Sequence, residues 1–395
     1  NVRYDGSLKA SVILKDLAPF VPALSRFEEP LDLNLVFSGH GKHLDCPTLQ
    51  LANHHGLMIA GEAALSNWDA GMDMYIYGKL GNLIMTKEGI NVLMTNLTGK
   101  VPPILQRLDY IRFNGEAAGY LHDLTLTGLF YTGAGMVKTD VMMSIDEQSM
   151  SRTYSGSVAS ADLDLGKLLN QEKKFGKVDF NVELKGFNYK NRYPESYIKG
   201  IISSFEYSQY QYENIMLDGV YKDGGFNGRL SMDDANGSVQ IDGNFNVAKT
   251  IPDFNLKASV KNLRPHDLHL SDKYENASIS LGLTADFTGK SIDDMNGRIS
   301  LDSLQLNAPD ERGCFLDNLT ITAGQVSGEK ELRINSSFMT AVIRGDYSYH
   351  TIPASVVKTV QRYIPSLLTI KDNMPEPHNN FQFDICLENT EVLSK

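Results

Sequence analysis

Cysteine is scarce in this chain: Cys46, Cys314 and Cys386 are the three among 395 residues, and they lie far apart. An odd, dispersed set gives no disulfide framework and no standard zinc spacing, so buried free thiols are expected. Long apolar runs are lacking too, and nothing approaches the roughly 18 consecutive apolar residues of a membrane-spanning helix. Positive charge is in deficit, with 37 Lys and Arg against 48 Asp and Glu and a net charge of -11. That balance argues against a nucleic-acid partner, which needs clustered basic side chains.

No Pro-, Ser- or Gly-rich linker and no block of like charge divides the chain, so one elongated, repetitive architecture is expected rather than separate compact domains. A signal-peptide pattern is absent, and the opening NVRYDGSLKASVIL is already strand-like. The chain is therefore expected to be an internal piece of a longer protein. Catalytic signatures are missing as well: no nucleophile elbow, phosphate loop, H-E-x-x-H or kinase motif appears. The GAG at 133–135 lacks the third glycine of a dinucleotide fingerprint and reads as a turn. No enzyme activity and no cofactor is expected.

What is abundant is alternation. Hydrophobic residues make up 42% and charged residues 22%, as in ordinary folded proteins, and the apolar positions recur with period two. In 160–186, SADLDLGKLLNQEKKFGKVDFNVELKG, an extended lead-in and a short helical turn feed a strand. Val178, Phe180, Val182 and Leu184 take one face of it, and Lys177, Asp179, Asn181, Glu183 and Lys185 the other. The same unit recurs loosely at 15–39, where Leu31, Leu33, Leu35 and Phe37 alternate with polar neighbours, at 100–115, and at 260–289. The unequal spacing excludes a strict short repeat.

Between Met72 and Gly99 the glycines suggest three short strands, MYIYG, NLIMT and INVLMTNL. Further apolar faces are Phe254, Leu256, Ala258 and Val260; Ile279, Leu281, Leu283, Ala285 and Phe287; and Leu332, Ile334, Ser336 and Phe338. Residues 345–368 read as an amphipathic helix with Pro353 in its first turn and Pro365 ending or kinking it, 371–380 as a polar linker, and 381–387 as a fresh strand. Three segments are expected: 1–159 and 160–345 as successive β-segments, and 346–395 as helix, linker and the start of another. The fold class is mostly β, an elongated antiparallel or mixed sheet with a few short helices.

Polar clusters have structural readings. His40, His43, Cys46, His54 and His55 are dense in 39–56, but their spacing fits no usual zinc pattern, so a polar loop between strands is expected and no metal. Asp233 with Asp234 and Asp293 with Asp294 sit in turn-like surroundings. Phe205, Tyr207, Tyr210 and Tyr212 reflect the aromatic preference of strands.

Apolar strand faces with few helices to cover them must close as a sandwich, wind as a solenoid, or fold lengthwise into a trough. The segments DLDLGKLL, GKVDFNVELKG, NGSVQIDGNFN and ADFTGKSIDDMNGRISLDSLQLN, with the helix-then-strand ending, resemble the TamB-like (translocation and assembly module) family of the AsmA-like group, in its Bacteroidota form. The resemblance implies a β-taco groove in the periplasm, anchored in the inner membrane by a segment outside this chain. It implies lipid transport toward the outer membrane, with phospholipid acyl chains in the groove and an outer-membrane Omp85-type protein as a partner of regions outside it. The groove lining would be Leu31, Leu33, Leu35, Phe37, Val178, Phe180, Val182, Leu184, Phe254, Leu256, Ile279, Leu281, Leu283, Phe287, Leu332, Ile334 and Phe338. Two other classes stay open: a scaffold or adhesin-like β-protein with a closed core, and a carbohydrate-acting enzyme using Tyr207 to Tyr212 as a platform.

Overall fold

The computed structural model describes residues 2–17, 25–146, 148–149, 151–188, 195–272, 275–308, 314–349, 351–352, 355 and 379–388. The chain is mostly β, as the alternation implies, with 21 strands in one sheet and a few short helices. It divides into two compact units, Asn1–Val220 and Tyr221–Lys395.

The first unit is a running meander of β1 (Arg3–Ile13), β2 (Pro30–His40), β3 (His43–Ala52), β4 (Leu57–Ser66), β5 (Tyr75–Thr86), β6 (Tyr110–Tyr120), β7 (Asp123–Thr132), β8 (Gly135–Ile145), β9 (Arg152–Asp164), β10 (Phe175–Asn188) and β11 (Glu195–Tyr207), followed by β12 (Tyr210–Lys222). From β1 to β11 each strand pairs antiparallel with its chain neighbours. The second unit continues in the same way through β13 (Gly225–Asp234), β14 (Gly237–Asn246), β15 (Asp253–Leu263), β16 (Ser278–Thr288), β17 (Asn296–Asn307), β18 (Cys314–Val326), β19 (Glu329–Ser336), β20 (Met339–Asp346) and β21 (Asn380–Leu387). Every described ladder is antiparallel, so the parallel share allowed for in a mixed sheet does not appear.

The helices of the first unit gather at one end of the strands. They are α1 (Lys87–Thr98) and α2 (Pro103–Gln106), between β5 and β6, and α3 (Leu165–Leu169), between β9 and β10. A 3-10 turn, Leu14–Leu17, stands at the same end between β1 and β2, so these connections recur every four strands. Two expectations for 72–99 are corrected here. Tyr75–Thr86 is a single strand that runs through Gly78 and Gly81, and INVLMTNL is helical. Thr86 caps α1 by accepting from the Gly89 N–H, Gly99 ends it at φ 77°, and Ile90, Leu93, Met94 and Leu97 have helical spacing. Asp164 caps α3 by accepting from the Lys167 N–H at 2.8 Å.

The other copies of the helical unit differ among themselves. The 100–115 copy holds α2 and the start of β6, and the 160–186 copy holds α3 and β10. In the 260–289 copy the connection is a turn, with no helix among the described residues. Of the amphipathic helix expected over 345–368, Gly345 and Asp346 instead end β20, Ile352 and Ser355 are helical, and most of the rest lies outside the described residues. Cys46 is buried, as expected of a free thiol, whereas Cys386 is exposed because β21 has a described partner on one side only. The side chain of Cys314 lies outside the described residues.

Candidate functional site: an apolar face registered strand by strand

Register decides whether apolar strands share one continuous face, because direct cross-strand partners point the same way. In the first unit they do. One row runs through Leu33, Leu51, Ile59, Leu83, Phe113, Phe130, Val137, Ser160, Phe180 and Ile202, each the direct partner of the next. The row beside it starts with Leu35 and Leu49, passes Gly115 and Gly128, and reaches Val158 and Val182. The Phe113 and Phe130 rings pack with centroids 4.5 Å apart and planes tilted by 37°, and the Phe113 ring covers both glycines, where a Cβ would come within 2.7 Å of it.

The sequence candidates of this unit fall on that face. Leu33, Leu35, Val182 and Leu184 are half-buried within it, Leu184 opposite Ile198. The Phe37 ring lies over Gly6. Leu31 and Val178 are buried at the helical end, where Phe180 also packs.

The second unit repeats the arrangement. Phe226, Phe245, Phe254 and Phe287 form one row, with Phe254 and Phe287 stacked at 4.7 Å. Leu256, Ala285, Ile299, Ile321, Ile334, Ala341 and Ile385 form the next. Leu281 opposes Val260, Leu283 opposes Leu301, and Ile279 opposes Leu306. Leu332 packs beneath Tyr347 in a small buried cluster, and Phe338 sits in the bend between β19 and β20 rather than on a strand.

A sheet face covered by a second layer would bury these side chains. Most row members are instead half-buried, and on the same face Leu8, opposite Leu35, and Met143, opposite Leu124, are exposed. Burial concentrates where helices or turns lie on the face. In the first unit Ile90 of α1 is 1% exposed and packs with Leu108, Ile111, Ala134, Leu163 and Val178. Arg107 donates to the Leu168 carbonyl, and Lys167 reaches Asp109 at 2.6 Å and the Gly133 carbonyl at 3.0 Å, which ties α2 to α3. The hydrogen bond and charge of Lys167 hold the Asp109 carboxyl below its ordinary range.

The opposite face is the more polar one, with Lys, Asp, Asn and Gln rows, although Met58, Tyr131, Met142 and Ile201 stand exposed on it. It carries shallow valleys between side-chain rows; one, of 660 Å³ over β1 to β4, runs between Lys9, Asn34 and Gln50 on one side and Ser11, Asp32 and Met58 on the other.

The histidine cluster forms no metal centre: among the described residues no group of three or more His, Cys, Asp or Glu is placed to hold an ion. His43 shares hydrogen bonds with its cross-strand partner Ser66 at 2.7 Å and with Asp45 at 2.9 Å, on the polar face, and His55 meets Glu29 at 3.2 Å. Phe205, Tyr207, Tyr210 and Tyr212 pack against one another at 4.8 to 6.5 Å, so much of each ring surface is spent within the cluster.

The carboxylate pairs are tied down by their neighbours. Asp234 accepts from the Asn236 N–H. Asp293 accepts from the Tyr349 N–H and from Ser348, with Lys330 at 3.5 Å. Burial pushes Asp293 up, but those donors and Lys330 outweigh it and hold the carboxyl below its ordinary range. The same Lys330 lies over the Tyr347 and Tyr349 rings at 4.7 and 4.4 Å, and burial pushes the phenol of Tyr347 up.

No helix among the described residues is long and apolar enough to cross a membrane. The chain matches no known protein family, no curated protein and no solved structure.

Proposed function

We propose that the apolar face is a track for lipid acyl chains, and that the protein conducts phospholipid passively along it. The observation that carries this is the registered row from Leu33 to Ile202, unbroken by charge over ten strands yet largely half-exposed. At about 4.8 Å per strand it extends roughly 43 Å across the sheet. A CH2 fully taken from water is stabilised by about 0.8 kcal/mol, and one resting on an open face by part of that. Successive strands present apolar side chains in register, so a tail can shift from strand to strand at little cost. No residue is catalytic in this reading. The resemblance to TamB-like proteins supplies the setting: the periplasm, an inner-membrane anchor and an Omp85-type partner reached through other regions.

The test is native mass spectrometry with lipid extraction on the purified protein, beside a variant with Val182→Asp and Leu283→Asp. Both side chains are half-buried on the face and outside the buried clusters. Copurifying phospholipid that is lost in a variant of unchanged circular dichroism is the expected result. Lipid-free protein, with a variant that unfolds, would make the face a closed core and leave the scaffold reading.

A further inference from the structure

The apolar face of residues 1–220 differs at its two edges. At the edge where β1, β3, β5, β7 and β9 finish, Leu31, Leu57, Ile90, Leu108, Leu163 and Val178 are all buried, each at 8% exposure or less. Helices α1 to α3 lie there, tied by Lys167 to Asp109 and by Arg107 to the Leu168 carbonyl. At the opposite edge the same face ends in Leu65, Ile76, Leu124, Met143 and Tyr154, and none is buried. Among the described residues on this face, buried Cys46 lies toward that side.

That second edge has amphipathic character. Tyr4, on the apolar face opposite Gly39, donates its hydroxyl to the His43 carbonyl at 2.8 Å and has Trp68 6.2 Å away. Trp68 is 44% exposed, and the Lys42–Asp69 ion pair stands beside it in the same connections. The half-exposed Trp68 indole, an apolar ring with a polar N–H, suits a boundary between hydrocarbon and water, and Tyr4 extends the apolar surface beside it.

Taking the track proposed above as its premise, we infer that a phospholipid in this unit lies along the strands, with its tail ends toward the helical edge and its headgroup emerging past Tyr4 and Trp68. The lengths agree. An eleven-residue strand such as β2 spans about 37 Å, and the buried cluster occupies about 10 Å of it at the helical end, leaving about 27 Å. One bilayer leaflet with its headgroups is about 20–22 Å thick. A lipid therefore fits in the open part with its polar end in water, and it moves across the strands without dragging that end through hydrocarbon.

Trp68 is the sole tryptophan of the chain, so its fluorescence reports on one edge. The experiment adds phosphatidylcholine carrying a nitroxide either on the headgroup or on the last carbons of one acyl chain, with native mass spectrometry of the same samples counting bound lipid. The headgroup label is expected to quench Trp68 at least about twofold more than the chain-end label. In a Trp68→Phe background carrying Ile104→Trp, on exposed α2, the order is expected to reverse. Bound lipid with equal quenching, stronger chain-end quenching of Trp68, or no quenching at all overturns the orientation while leaving the track. No bound lipid with either label overturns the track itself, and the orientation falls with it.

Discussion

Leu163 of β9 faces Val178 of β10 on the apolar side because Asp162, the residue before it, adopts a left-handed conformation with φ 54°. Strict alternation from Val158 and Ser160 would send Leu163 to the polar face. The extra residue of a β-bulge reverses the parity, and Leu163 becomes 8% exposed. Asn262 does the same before Leu263, and Ser303 before Leu304 and Leu306.

Left-handed backbone is costly for β-branched residues and tolerated by Asp, Asn and Gly. Asn262→Val is therefore expected to lower stability by about 1–2 kcal/mol, and Asn262→Gly by a few tenths or not at all. Urea unfolding followed by circular dichroism distinguishes the pair. Equal midpoints for the two variants would mean the bulge does not fix the register.

Those bulges also mark the limit of what the sequence discloses. Val178 to Leu184 and Leu31 to Phe37 were legible as half-buried strands, because alternation is a local property and these strands carry it without interruption. Parity reversal at Asp162, Asn262 and Ser303 was not legible, since a polar residue in a strand looks like any outward position. INVLMTNL reads as a strand from its glycine neighbours, yet the 90, 93, 94, 97 spacing and the Thr86 cap make it a helix. The face as a whole was legible only as a list of strands. The row from Leu33 to Ile202 depends on register, which the turns and bulges set.

The helical edge rests on Ile90. Ile90→Ala removes a side chain that is 1% exposed and packed in the largest buried cluster of the first unit, and is expected to cost about 2–5 kcal/mol. Ile104→Ala, on exposed α2, is expected to change stability by less than about 0.5 kcal/mol. Thermal unfolding of both variants checks the contrast, and comparable losses would show that the helices do not pack as described.

Glycines 115 and 128 are expected to be intolerant of side chains for a reason separate from conformation. A Cβ at Gly128 would lie 2.5 Å from the Phe113 ring, itself 5% exposed. Gly128→Val should cost about 1–3 kcal/mol through overpacking, and Phe113→Leu in the same chain should recover part of it. Additive losses in the double variant would count against the ring-over-glycine contact.

Glu331 makes the second unit sensitive to acid. Its carboxylate is 10% exposed, accepts from Arg344 at 2.6 Å and from Arg333 at 3.1 Å, and is held below the ordinary glutamate range chiefly by the Arg344 hydrogen bond. A carboxylate whose folded pKa lies below its unfolded value binds more protons when unfolded, so its stabilisation is fully present above the unfolded value, near 4.5. It is lost as pH falls through the lower folded value. Stability of the wild type is therefore expected to drop more steeply below about pH 4.5 than that of Glu331→Gln, which is weaker at pH 7 but lacks this titration. Urea midpoints from pH 7 to pH 3 measure the two slopes. Parallel slopes would show that the two arginines do not hold Glu331 ionised in the folded protein.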